Sequence, residues 1–243
     1  GFVPVGPFLD PSRTMLGAAQ EAWLANTLQQ SPARWKFIGQ GVMLAQLKAV
    51  GRPNAEGSGL FVNPDQWDGY PPARERLFDV FAGAAAPPPV GNVVVLTGDI
   101  HTAWAADLTR DPNNPDVGSG GYDPVTGAGS LAAAFVPTWS TPRAVPVPTA
   151  ITSPGIPDPD GALARLAASQ NPHFKHIDLN RRGYLLLDVT PARVVGEFWA
   201  VDTVAVPSHI ETFTAAFEVQ HGTQRLVPSG MTSPRPNPPA PAP

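Results

Sequence analysis

The chain has 243 residues, of which 42% are hydrophobic and 15% charged, so it is long enough for one large domain or two small ones. Its formal net charge of −4 argues against a nucleic acid or an anionic membrane surface as the main partner, and no apolar run approaches the roughly 20 residues of a transmembrane helix. The absence of cysteine excludes disulfide bonds and thiolate metal sites within the chain. The sequence begins GFVPVGPFLD, with neither an initiator Met nor a signal peptide, so we expect a cut end with any export signal upstream.

The spacing of apolar residues predicts helices and strands after an irregular arm at 1–12. In chain order, these are a helix at 14–30, a strand at 35–38, a helix at 71–81, a strand at 93–96, a helix at 161–169 and a hairpin of strands at 183–189 and 194–201. The 31 prolines and 23 glycines predict long irregular connections, the longest at 109–160 with one apolar piece at 131–136. We expect one domain over 1–233 and a disordered proline-rich tail at 234–243.

The stretch NVVVLTGDIHTAW places two ionisable side chains at the end of a buried strand. If the backbone stays extended there, Asp99 and His101 point to the same side with Cα atoms roughly 6–7 Å apart. Such a pair can converge on one cation, and Gly98 leaves room for a ligand to approach. The alternative is structural: Asp is a favoured helix N-cap, and a single His is more often packed than ligating. These residues alone leave the two interpretations equal.

Three further side chains are weaker candidates. Gln40 ends the 35–38 strand, where its amide oxygen can touch a hard cation or simply bond to a loop backbone. Asp68, between Trp67 and Gly69, is best explained as a turn carboxylate. His173 follows Asn171-Pro172 and can be a supporting donor, a substrate contact or a helix-end His. The chain has neither a phosphate-binding loop ending in Lys-Ser/Thr nor a Gly-x-Ser-x-Gly nucleophile elbow.

Four ordered segments together resemble the alkaline phosphatase D (PhoD-like) family of metallophosphoesterases: RTMLGAAQEAWLANTLQQSPARWKFIGQGVM, NPDQWDGYPPARERL, VVVLTGDIHTAWAADL and NPHFKHIDLNRRGYLLLDVTPARVVGEFWAVDTV. The resemblance implies an α+β fold, the C-terminal half of a calcineurin-like four-layer α/β/β/α sandwich whose two mixed sheets pack face to face. It also implies hydrolysis of phosphomonoesters, phosphodiesters or both at a dinuclear or multinuclear centre, most often iron with calcium. By position Asp99 and His101 match the family's metal-binding Asp-x-His, and Gln40 matches a further ligand position loosely. In the mechanism that this implies, His173 is expected to contact the substrate or the leaving group.

The family's remaining metal ligands come from earlier segments that this chain does not contain. The sequence therefore predicts that a separate N-terminal chain, made from the same precursor, completes the site, and the family resemblance implies a secreted or periplasmic protein. A phospholipase D-like phosphodiesterase is the alternative within the enzymes. A non-catalytic binding module with a degenerate site is the alternative from another class, since the ligand set within this chain is incomplete.

Overall fold

The structure is a computed structural model that describes residues 1–50, 59–84, 88–110, 112, 130–136 and 155–232. The tail at 234–243 and most of the 109–160 connection lie outside the described residues. The strands of the described protein, numbered in chain order, are β1 Lys36–Gln40, β2 Lys48–Val50, β3 Leu60–Phe61, β4 Val93–Thr97, β5 Ala103–Leu108, β6 Ala132–Val136, β7 Phe174–Asp178, β8 Arg182–Val189, β9 Arg193–Val201, β10 Glu211–Gln220 and β11 Leu226–Ser229. Its α-helices are α1 Ala18–Gln30, α2 Pro71–Ala82 and α3 Ala162–Gln170.

The first sheet contains five strands in the spatial order β1-β4-β6-β5-β7. Strands β1, β4 and β6 are parallel, and β5 runs antiparallel to both of its neighbours. The middle strands read as continuous apolar runs because both faces of this sheet are covered. A short hairpin of β2 and β3 forms a separate two-stranded sheet.

The second sheet has the order β11-β10-β9-β8 and packs face to face on the first. Phe135 of the first sheet lies in one buried cluster with Phe198 and Phe217 of the second. At Gly196 a Cβ atom would lie 2.6 Å from Cε1 of Phe135, so only glycine permits this close approach of the two sheets. The predicted face-to-face packing of two sheets is confirmed. Within the described residues the first sheet is mixed, and every strand pair of the second is antiparallel.

The helices cover the other face of the first sheet. Phe78 and Phe81 of α2 share a core with Val93 and Val95 of β4, and α3 packs against β2 and β7. The α+β class is thus confirmed, and the described residues form three successive layers, helices, sheet and sheet. None of the helices in the described ranges is long and apolar enough to cross a bilayer.

A strand-end edge with two candidate metal ligands

One edge of the first sheet gathers the polar strand ends. Gln40 ends β1 and is paired with Thr97, which ends β4. Because β5 runs antiparallel to β6 and β7, Ala103 at its start lies at the same edge, paired with Asp178 at the end of β7. We call this the strand-end edge, defined by Gln40, Thr97, Ala103 and Asp178.

The Asp99–His101 segment lies on this edge as a tight turn. Asp99 has φ 72° and His101 has φ 61°, both in the left-handed region that side chains other than glycine rarely adopt. The prediction of an extended backbone is therefore wrong, and the alternation argument for a shared direction does not apply. Both side chains are exposed at the end of the buried β4 strand. Left-handed backbone at such residues costs on the order of 1–3 kcal/mol each and clusters at functional sites.

Hydrogen bonds below the turn hold it in place. The Thr102 hydroxyl donates to the Ile100 carbonyl over 3.2 Å and accepts from the Trp104 indole N–H over 2.6 Å. The Ile100 N–H donates to the Gly98 carbonyl over 2.9 Å. Thr102 and Trp104 are buried, so the turn is fixed to the sheet from beneath.

At the strand-end edge, the side chains of Gln40 and Thr97 each have one polar atom without a hydrogen-bond partner in the described part of the chain. The Gln40 amide oxygen, the atom that would bind a cation, accepts from the Trp67 indole N–H over 2.7 Å. The buried Nε2 of Gln40 and the buried hydroxyl of Thr97 have no hydrogen-bond partner within the described ranges. As oriented, Gln40 therefore presents a donor to this edge, while its predicted role as a metal ligand stays a prediction.

His173 lies at the opposite edge of the first sheet, just before β7 begins. Its position is about five residues, or roughly 16 Å, from the strand-end edge along β7. The side chain is 1% exposed, and its Nε2 is 2.9 Å from the Gln46 carbonyl oxygen. Burial lowers its pKa to about 3. The structure does not bring His173 together with Asp99 and His101, and a neutral, enclosed imidazole is unsuited to contact substrate.

Asp68 has a structural role, as its sequence context suggested, but a more deeply buried one. Its carboxylate is 2% exposed, pairs with the Arg74 guanidinium at 2.6 Å and accepts the Leu47 N–H at 2.9 Å. These bonds connect the start of α2 to the segment that follows β1. The carboxylate is fully used in folding.

Two arginines on the connection from β7 to β8 were missed by the sequence analysis. Arg181 donates from Nε to Asp178 over 2.6 Å, and Arg182 begins β8 with a buried Nε that has no partner in the described part of the chain. Consecutive arginines immediately before a predicted strand were the available signal. This signal could not be interpreted, because the sequence does not reveal which sheet a strand joins or at which edge of that sheet the strand begins.

Comparisons with known proteins identify the family. The model of the PhoD-like phosphatase family matches residues 5–198. The chain belongs to the PhoD-like phosphatase family. It is 30% identical over 211 residues to alkaline phosphatase D of Bacillus subtilis (strain 168), an alignment that covers 87% of this chain and 31% of that protein. A solved structure described as the structure of PhoD matches 95% of this chain with a TM-score of 0.72 and 28% identity, and 38% of that chain is covered.

The PhoD-like chain thus spans about a third of the relatives it matches, and Asp99 and His101 are its candidate metal ligands. A carboxylate and an imidazole suit iron, zinc and related cations. A dinuclear centre needs roughly four or more ligands per ion, whereas the described part of the chain contains no group of three His, Asp or Glu side chains that could hold one. Asp99 and His101 therefore fit two positions of a donor set and do not complete it.

Proposed function

We propose that this chain forms one side of the active site of a metal-dependent phosphate-ester hydrolase, acting on monoesters, diesters or both. The observation that carries the proposal is the exposed Asp99–His101 turn at the strand-end edge of a PhoD-like phosphatase sandwich. Family membership favours iron with calcium as the metals and a secreted or periplasmic location. Both belong to the proposal.

In this mechanism the chain's own residues preset the ligand geometry. Asp99 and His101 would hold one cation, with a second oxygen of the carboxylate available to a neighbouring one. When bound, the metal pair supplies Lewis acidity that stabilises negative charge on the phosphoryl oxygens. The hydrogen bonds of Thr102 and Trp104 fix the turn before any ion arrives, so little reorganisation is needed on binding.

We further propose that a separate N-terminal chain from the same precursor supplies the remaining ligands. The incomplete donor set within the described residues supports this, because further ligands must then come from outside them. Strand β1 is an outermost strand of the first sheet, so one of its sides is not paired with another strand of that sheet. Beside it, Phe37 and Trp23 are 41% and 61% exposed next to an apolar groove of about 380 Å³, a suitable seat for that chain.

The decisive test of the site is His101→Ala. We expect this variant to lose metal by elemental analysis and to lose most hydrolysis of p-nitrophenyl phosphate and its bis ester. His221→Ala is the matched control, because His221 is also exposed but makes an edge-on contact with Trp35 at the opposite edge. Wild-type metal content and turnover in His101→Ala would contradict the assignment.

The partner is tested by intact-mass analysis of the active protein. A 25.5 kDa species that alone retains full metal-dependent activity refutes the two-chain arrangement. In a co-purification experiment, Trp23→Glu should weaken capture of the N-terminal chain. Leu163→Glu, at a 45% exposed leucine on α3, should leave it unchanged.

A non-catalytic binding module is the second candidate, favoured by the lack of a third ligand within the described residues. Elemental analysis separates the two functions. A binding module carries no stoichiometric iron and cleaves neither ester. The hydrolase, when its chains are complete, carries the metal and cleaves the ester substrate. Adding a phospholipid to the substrate panel distinguishes a phospholipase D-like phosphodiesterase from a phosphomonoesterase.

A further inference from the structure

Arg182 lies at the same end of the molecule as the Asp99–His101 turn. It lines one small crevice with Ala103 and Asp178, and Ala103 is two residues from His101. The opposite end of β8 confirms this orientation, since the Trp35 indole N–H, beside the start of β1, donates to the Thr190 carbonyl over 2.7 Å. Strand β8 therefore runs from the strand-end edge, at Arg182, to the far edge.

The guanidinium of Arg182 has no acceptor among the described residues. Within the part of the chain that the structure describes, it forms no ion pair, and its buried Nε has no hydrogen-bond partner. The neighbouring carboxylate of Asp178 is taken by Arg181 and by the backbone N–H groups of Asn180 and Arg181. A buried donor without an acceptor is destabilising, and in native proteins it commonly indicates a water, an ion or a ligand that completes the bond.

Two glycines determine where the Arg182 side chain lies. A Cβ atom at Gly183 would sit 1.7 Å from the Trp199 carbonyl oxygen, so glycine is needed for β8 to pair closely with β9. A Cβ atom at Gly155 would sit 3.0 Å from Nη1 of Arg182. The main chain thus comes close to the guanidinium on one side, and a bulkier residue at position 155 would push against it.

We propose that Arg182 binds the phosphoryl group of the ester at the strand-end edge, its guanidinium donating two hydrogen bonds to the non-bridging oxygens. This inference rests on the proposed hydrolase function and adds a substrate-binding residue from outside the metal ligands. The planar fork of a guanidinium matches two oxygens of a phosphate, which the point charge of lysine cannot reproduce. The same contact holds inorganic phosphate, the product of monoester hydrolysis.

The test compares Arg182→Gln and Arg182→Lys with the control Arg181→Gln, in the protein with its metals and every chain it carries. KM for p-nitrophenyl phosphate and the inhibition constant of inorganic phosphate should rise about tenfold or more in both Arg182 variants, as expected for loss of a charge-assisted bond. Metal content should stay at the wild-type level, and Arg181→Gln should remain within about twofold. Arg182→Lys keeps the charge and the alkyl stem, so it serves as the test if Arg182→Gln does not fold.

The outcomes separate this inference from the function on which it rests. Unchanged KM and phosphate inhibition in Arg182→Lys, with wild-type turnover, overturn the role of Arg182 and leave the hydrolase intact. A fall in metal content in both variants also overturns it, because the residue then supports the metal site instead. If the wild-type protein cleaves no ester, the hydrolase proposal fails. In that case equilibrium dialysis with inorganic phosphate tests whether Arg182 forms an anion site. Loss of phosphate binding in the Arg182 variants supports the site, and unchanged binding overturns it.

Discussion

Two buried histidines should make the fold sensitive to mild acid. His176 packs between the two sheets, with its ring centroid 4.7 Å from that of Phe198 and 5.8 Å from that of Phe217. Its Nε2 has no hydrogen-bond partner among the residues that the structure describes. Burial lowers the pKa of His176 to about 4, against a smaller opposing effect of Asp178, and lowers that of His173 to about 3. Both rings are therefore neutral in the folded protein at physiological pH.

The sign follows from proton linkage. Below the unfolded pKa of about 6.5, the unfolded chain binds protons that the folded chain does not. Stability is therefore complete above about pH 6.5 and falls as the pH drops toward the folded pKa values of about 3 and about 4. Each histidine contributes a loss of about 1.4 kcal/mol per pH unit. At pH 5.5 the pair should lower the free energy of unfolding by about 3 kcal/mol relative to pH 8.

Urea denaturation followed by tryptophan fluorescence measures this effect at pH 8, 6.5 and 5.5. In His176→Phe, which matches its aromatic neighbours and cannot titrate, the loss between pH 8 and 5.5 should shrink by about half. The control His209→Ala, at an exposed histidine, should keep the wild-type pH dependence. An unchanged pH dependence in His176→Phe would refute the reasoning, because it would mean that the buried imidazole does not titrate between the two states.

Substitutions at three further positions test the packing and the strained turn. Asp68→Asn leaves the buried Arg74 charge unpaired and should lower the free energy of unfolding by about 3–5 kcal/mol in urea; a loss below 1 kcal/mol would show that the pair contributes little. Gly196→Ala forces a methyl against Phe135 and should cost about 1–3 kcal/mol, seen as a lower thermal midpoint, whereas an unchanged midpoint would mean that the sheets can separate freely. At Asp99, glycine should be about 1 kcal/mol more stable than alanine because of the positive φ, and equal stability of the two variants would indicate a relaxed turn.

Local sequence patterns were sufficient for the elements with a clear period or clear end signals. Helix α2 begins at Pro71 as predicted and ends one residue later than predicted. The β8–β9 hairpin lies within one residue of its prediction. Helix α1 begins at Ala18, four residues later than predicted, because Gly17 adopts φ 79° and the Thr14 hydroxyl accepts from its N–H. The helix therefore begins after the first residues of the apolar spacing.

Strand β5 was missed because it had no local signal. Strand β5, AWAADL, is buried on both faces, so it shows neither alternation nor a helical period. Its Asp107 is 0% exposed and accepts the Leu226 N–H from the second sheet over 2.8 Å, a contact across 119 residues. The same limitation applies to Arg182, whose position near Ala103 follows from sheet register. Sequence located the strand-end pair correctly but could not reveal its left-handed backbone.

The strained turn argues that this edge is shaped for binding. Strain at Asp99 and His101 persists only when surrounding contacts fix the backbone, and the Thr102 and Trp104 bonds do so. Neither side chain contributes a hydrogen bond to the fold among the described residues, although Asp is a favoured cap and turn former. A carboxylate with only a capping role would accept backbone N–H groups, as Asp158 does at the start of α3. The structural alternative for Asp99 therefore lacks its expected contacts, which leaves ligand binding as the better explanation of this conformation.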